Sequence, residues 1–259
     1  MKQLCRIACL FLCFFMILSV DGLAACADID VSTASDGFFS VFYPGDASLK
    51  MKVGVTVAGQ TTYYDYTPGA RASYAIHKGD GSYTVALYRN LSGSRYQKVA
   101  TKTVSVRLTD PLAPYLASTT EISFEADGAV SQTAAALCRN LTDPRSKVVA
   151  IHNFIARNFS YDNSFAAAVR NGTVRQYTTN TEQALRSRQG VCYDFSALFA
   201  AMCRSQGIPC ALMKGYTASG YHAWNRVWVD GTWVTVDVTA AVATQTQASC
   251  FADCIAFIR

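Results

Sequence analysis

Gly190-Val191-Cys192-Tyr193-Asp194-Phe195 is the stretch on which the reading of this chain turns. Gly190 breaks one helical segment. The apolar stripe Phe195, Leu198, Phe199 and Met202 predicts a new helix from about Cys192 to Gln206. Gly207 supplies the stop, with Pro209 just beyond it. Cys192 therefore stands at a helix N-terminus, where free backbone N–H groups and the positive dipole end stabilise a thiolate. The same N–H groups can polarise a substrate carbonyl. Cys203, further along the same helix, reads as a core residue.

The next element is read by counting. Tyr221 to Val229 and Thr232 to Thr239 flank Asp230-Gly231, a strong hairpin signal. The two-residue loop pairs Val229 with Thr232. Counting back sets Trp224 opposite Asp237 and His222 opposite Thr239. His222 and Asp237 then share one face as diagonal neighbours, with Arg226, Trp228, Trp233 and Thr235. The other face carries Ala223, Val227, Val229, Val234, Val236 and Val238, an apolar set suited to a core. A slip of one residue would separate the histidine from the aspartate. Shared parity alone is weak; a cysteine at a helix start adds the third member. A thiolate nucleophile, an imidazole base and a carboxylate that orients it make up the general arrangement for covalent acyl transfer.

These residues carry a family resemblance. Gly190 to Phe195, Arg204-Ser205-Gln206-Gly207-Ile208-Pro209, Tyr221-His222-Ala223-Trp224-Asn225 and Val236-Asp237-Val238-Thr239 resemble the transglutaminase-like superfamily, especially its secreted bacterial members. The likeness runs from about Asp143 to Thr239 and includes Asn158-Phe159-Ser160-Tyr161-Asp162. It implies an α+β, papain-like catalytic domain with the nucleophile helix packed on an antiparallel sheet. It also implies Cys192 as nucleophile, His222 as base and Asp237 as orienter. Trp224 and Trp228 are expected at the substrate, and Tyr161 is the candidate oxyanion-stabilising side chain. Two positions depart from the family pattern: Val238 stands where proline is common, and Arg226 where an acidic residue is common.

The implied activity is that of an exported thiol enzyme acting on amide bonds through a thioester, with water or an amine as acceptor. Substrates would be a protein, a peptide or a peptidoglycan stem. No cofactor is called for. A non-enzymatic module that binds the cell envelope is the alternative. Structural zinc is a weaker reading, because no C-x-x-C occurs and only His222 lies close to a cysteine cluster.

The rest of the chain sets the context. Lys2 and Arg6 precede the apolar run Ile7 to Val20, and small residues follow, so residues 1–25 read as a signal peptide. Ala25-Cys26-Ala27 fits a cleavage site, while Leu23-Ala24-Ala25-Cys26 resembles a lipobox that would put a lipid on Cys26. Asp21 tilts the choice toward simple secretion. The net charge of +5 is scattered, which argues against a nucleic-acid partner.

Three of the ten cysteines, Cys5, Cys9 and Cys13, lie in the signal segment. Export permits disulfides, and Cys250 with Cys254 is a local pair. Buried free thiols are an equal alternative for the remainder.

Residues 28–109 predict a small all-β sandwich, with strands at Phe38–Tyr43, Lys50–Val57, Thr61–Tyr66, Ser82–Tyr88 and Val99–Leu108. Tyr63-Tyr64-Asp65-Tyr66 is either a ligand surface or, more often for such clusters, half-buried strand. His77 is read as incidental. Residues 110–116, with Pro111 and Pro114, form a linker, and residues 117–259 form the catalytic domain. Helices are predicted at Ala129–Leu141, from Pro144 through Arg157, and from a capping box at Thr179-Asn180-Thr181-Glu182 to Arg188. His152 is read as a packing or surface residue.

Overall fold

A computed structural model describes residues 27–217 and 220–244. The signal segment, Cys26, Cys250 and Cys254 lie outside the described residues. The first part is built from β1 (Asp28–Asp30), β2 (Phe38–Phe42), β3 (Met51–Val57), β4 (Gln60–Tyr66), β5 (Ala72–Ala75), β6 (Gly81–Ser92) and β7 (Arg95–Val106). One sheet has the order β1-β2-β5 and the other β4-β3-β6-β7, all antiparallel. Alternation explains the pairing. Met51, Val53 and Val55 turn inward, as do Tyr83, Val85 and Leu87, and they meet Phe39 and Val41 of the other sheet. The short strands β1 and β5 were not foreseen, because three or four residues carry too little period to register.

The segment after β7 is more than a linker. Ala113–Tyr115 forms a single 3₁₀ turn, with Pro114 buried. Proline fits there because the first N–H of a helical turn needs no partner. Pro114 packs on Gly37, where an added Cβ would come within 2.5 Å of its ring. Thr120 exchanges hydrogen bonds with Ser73 of β5.

The second part contains α1 (Ala129–Cys138), α2 (Pro144–Asn158), β8 (Ser160–Tyr161), α3 (Asn163–Arg170), α4 (Thr181–Ser187), β9 (Gln189–Gly190), α5 (Cys192–Ser205), β10 (Cys210–Thr217), β11 (Gly220–Val229), β12 (Thr232–Val236) and α6 (Val238–Thr244). Asp143 caps α2 by accepting from the Ser146 N–H, with Pro144 at the first helical position. Asn180, not Thr179, caps α4. Helix α5 is buried on every side from Asp194 to Arg204, which makes it the central helix of an α+β core. It packs on the antiparallel sheet β10-β11-β12 and against α1, α2, α4 and α6. Gly207, at φ 72°, ends it as predicted.

The hairpin register matches the count from the turn: Asp230 and Gly231 both have positive φ, and Val229 pairs with Thr232. The ladder holds to Asn225 opposite Val236. Beyond that point the expectation fails. The chain turns into α6 instead of continuing to Thr239, so Asp237 has no partner across the sheet and His222 does not face Thr239.

Candidate active site

Leaving the strand suits Asp237. Its Oδ1 accepts from the backbone N–H groups of Thr239 at 3.0 Å and Ala240 at 3.3 Å, the bonding of a helix N-cap. Its Oδ2 is then free to meet His222 Nε2 at 2.8 Å. One carboxylate thus starts α6 and orients the imidazole. Val238, the first residue of α6, occupies a position where proline is well tolerated, which accounts physically for the family preference there.

With Nε2 on Asp237, the other imidazole nitrogen is left for the thiol. The Cys192 side chain lies within hydrogen-bond reach of His222. The Asp237 bond first, and the Cys192 bond second, push the His222 pKa up to about 10 despite its partial burial. The imidazole therefore holds its proton at neutral pH and faces the sulfur as a cation.

Asp194 fixes the nucleophile turn, a role that sequence reading missed. It is buried at the third position of α5. Its Oδ2 accepts from the Val191 N–H at 2.9 Å, the carboxylate half of a capping box. Its Oδ1 accepts from Tyr177 Oη at 2.5 Å and Thr179 Oγ1 at 2.8 Å. Burial, then the bond to Asp194, raises the Tyr177 pKa. The signal was present as an acidic residue three places after the cap position. Gly190 makes room for this carboxylate, since a Cβ there would lie 2.8 Å from both Asp194 Cβ and Oδ2. Gly190→Ala is expected to cost about 1–3 kcal/mol, the usual range for overpacking, and to slow alkylation of Cys192. Urea melts with a parallel iodoacetamide time course check both.

Tyr161 reaches the site through β8, which runs parallel to β9 and pairs Tyr161 with Gly190. The Asp162 N–H donates to Gly190 O at 2.8 Å, which clamps the two segments. The Tyr161 hydroxyl sits at the Cys192 backbone; burial, then the nearby sulfur, raises its pKa. Trp224 stacks on His222 with ring centroids 6.2 Å apart. Its indole crosses Gly215, where a Cβ would meet it at 3.1 Å.

Trp228 is not brought to the site. It lies six residues along β11 from His222, about 20 Å at strand rise, and packs edge-on against Trp233. The buried ring of His152 belongs to packing. Cys138, Cys203 and Cys210 are buried free thiols, and burial raises the pKa of Cys138 and Cys203. Among the described residues, no three His, Cys, Asp or Glu side chains gather as a metal-ligand set.

Residues 131–238 match the family model of the transglutaminase-like superfamily. This segment belongs to that superfamily. Kyphoscoliosis peptidase from Homo sapiens is 34% identical over 105 residues, covering 36% of this chain and 15% of that protein. The Mus musculus protein of the same name is 36% identical over 67 residues, covering 21% and 10%. The chain thus spans a small fraction of these relatives. The periplasmic domain of TgpA from Pseudomonas aeruginosa aligns over 87% of this chain and 94% of its own, at 17% identity and a TM-score of 0.39. The transglutaminase-like segment begins inside α1 and ends at the first residue of α6, so it contains Cys192, His222 and Asp237.

Proposed function

We propose that this chain is an exported thiol enzyme that breaks amide bonds through a thioester on Cys192. The observation that carries the reading is the Asp237–His222 bond of 2.8 Å, with the imidazole beside a thiol at a helix start. The sulfur attacks the amide carbonyl. The oxyanion that forms is met by N–H groups at the start of α5 and by the Tyr161 hydroxyl. The imidazolium of His222 gives its proton to the leaving amine, the C–N bond breaks, and a thioester remains. Water, deprotonated by the now neutral His222, releases the acid. An amine in place of water would give transamidation. Protein, peptide or peptidoglycan-stem amides are the substrates in view.

Incubating the full chain with peptide pools and isolated cell walls, with Cys192→Ala as control, tests this. New free carboxyl and amine ends support hydrolysis, and amine incorporation supports transamidation. An unlabelled, inert Cys192 would return the chain to the reading of an envelope-binding module.

The division of the chain is part of the proposal. One apolar cluster is drawn from residues 27–108 and another from 122–242. A chain starting at Ala113 is expected to fold and to keep Cys192 alkylation, while losing any attachment to cell walls. Circular dichroism, labelling and wall sedimentation check this. An unfolded product would mean that the β half completes the second core.

A further inference from the structure

A cavity of about 400 Å³ lies where the β half meets the β10-β11-β12 sheet. Its walls include Tyr64, Tyr74, His77, Tyr115, Glu121 and Trp233. Exposed Thr62 and Lys78 lie at its mouth. Two polar atoms on its walls have no protein partner: Tyr74 Oη, on a side chain 3% exposed, and His77 Nδ1. Burial, then the charges of Arg204, Lys214 and Lys78, lowers the His77 pKa to about 3, so the ring is neutral.

The charge around this space is unbalanced. Arg204 is 3% exposed and lies close enough to His77 and Tyr115 to shift their titration. It donates from Nε to Cys210 O at 2.9 Å and from Nη1 to Ala117 O at 2.6 Å, and its Nη2 has no partner. Among the described residues no carboxylate pairs with it. A buried guanidinium held only by carbonyls is an uncompensated charge, which is costly unless an anion approaches. Arg204 lies behind the wall; the cations on the wall itself are Lys78, Lys214 and Arg226, the last stacked over Trp233 at 5.7 Å. The one wall carboxylate, Glu121, is already engaged. Its Oε1 accepts from Tyr193 Oη and Lys214 Nζ, both at 2.5 Å.

We propose that this cavity binds a small organic carboxylate carried on an aromatic or aliphatic body. The four aromatic rings take the apolar body. Tyr74 Oη and the His77 edge hydrogen-bond the carboxylate, and Arg226 and Lys78 on the wall neutralise it, with Arg204 behind the wall adding its charge. The volume falls in the lower part of the range for small-molecule sites, about 300–1,000 Å³. A free acid and the C-terminus of a peptide share this chemistry. The Glu121–Tyr193 bond links the cavity wall to the residue next to Cys192.

Titration calorimetry of the full chain carrying Cys192→Ala separates the outcomes without turnover. N-acetylphenylalanine is expected to bind at least about tenfold tighter than its amide, and Tyr74→Phe to weaken it about tenfold, the scale of one hydrogen bond to a charge. Because the Tyr74 hydroxyl has no protein partner, Tyr74→Phe should melt no lower than the parent. A pentapeptide ending in phenylalanine, as acid and as amide, tells the two sources apart: binding of the peptide acid assigns a chain terminus, and its exclusion assigns a free acid. Equal affinity for acid and amide overturns the proposal, as does unchanged affinity in Tyr74→Phe or no heat up to about 10 mM. Such a failure would leave the thiol-enzyme reading standing, since no step here involves Cys192.

Discussion

Asp237→Asn is expected to stay folded while turnover falls by about 10⁴-fold, the loss seen when a triad carboxylate becomes an amide. The two oxygens of Asp237 do separate jobs. Oδ1 caps α6 and Oδ2 holds His222 Nε2. The asparagine oxygen can still cap, but its amide nitrogen turned to the ring donates where the carboxylate accepted, so the wrong tautomer is favoured. Asp237→Ala removes both jobs and should add a loss of about 0.5–2 kcal/mol in stability from the missing cap. Melting curves beside kinetics on a confirmed peptide substrate distinguish the two variants. Full activity in Asp237→Asn would remove the aspartate from the mechanism.

His222→Gln is expected to lower turnover by about 10²–10⁴-fold, the usual weight of a general acid–base. It should also remove the preference of iodoacetamide for Cys192 over the buried Cys138, Cys203 and Cys210 at mildly acidic pH. The pH dependence follows from the raised imidazole pKa. A folded-state value near 10 against an ordinary 6.5 means the charged ring favours the native state. That stabilisation is fully present below about 6.5 and is lost as pH climbs through about 10. The parent should therefore lose melting temperature across this window relative to His222→Gln, and its activity should fall on the alkaline side near pH 10. Parallel pH profiles for the two proteins would negate the ion pair.

The legible parts of the site were those governed by local rules. A helix-start cysteine follows from Gly190 and the stripe through Met202. The hairpin register follows from Asp230-Gly231, because a two-residue turn with positive φ leaves one pairing. Period-2 alternation gave the five longer strands of the β half. The failures were non-local. Nothing in Val236 to Thr239 announces that the strand ends, since α6 is fixed by a side-chain cap and by packing on α5. Asp194 drew no separate reading, because its partners Tyr177 and Thr179 come from an irregular segment. His77 passed as incidental because only the fold carries it to a cavity wall, and Trp228 passed as a substrate contact because parity says nothing of distance along a strand.

The three groups that bond Asp194 also bear on when Cys192 would be activated under the proposed reading. Val191, Tyr177 and Thr179 reach that carboxylate from two separate stretches of chain, and Gly190 leaves the gap it fills. His222 arrives from a third stretch only once the hairpin has closed. A nascent chain therefore carries Cys192 as one unremarkable thiol among ten. Under the proposed reading, activation of Cys192 requires all of these contacts together, so an unfolded copy lacks it.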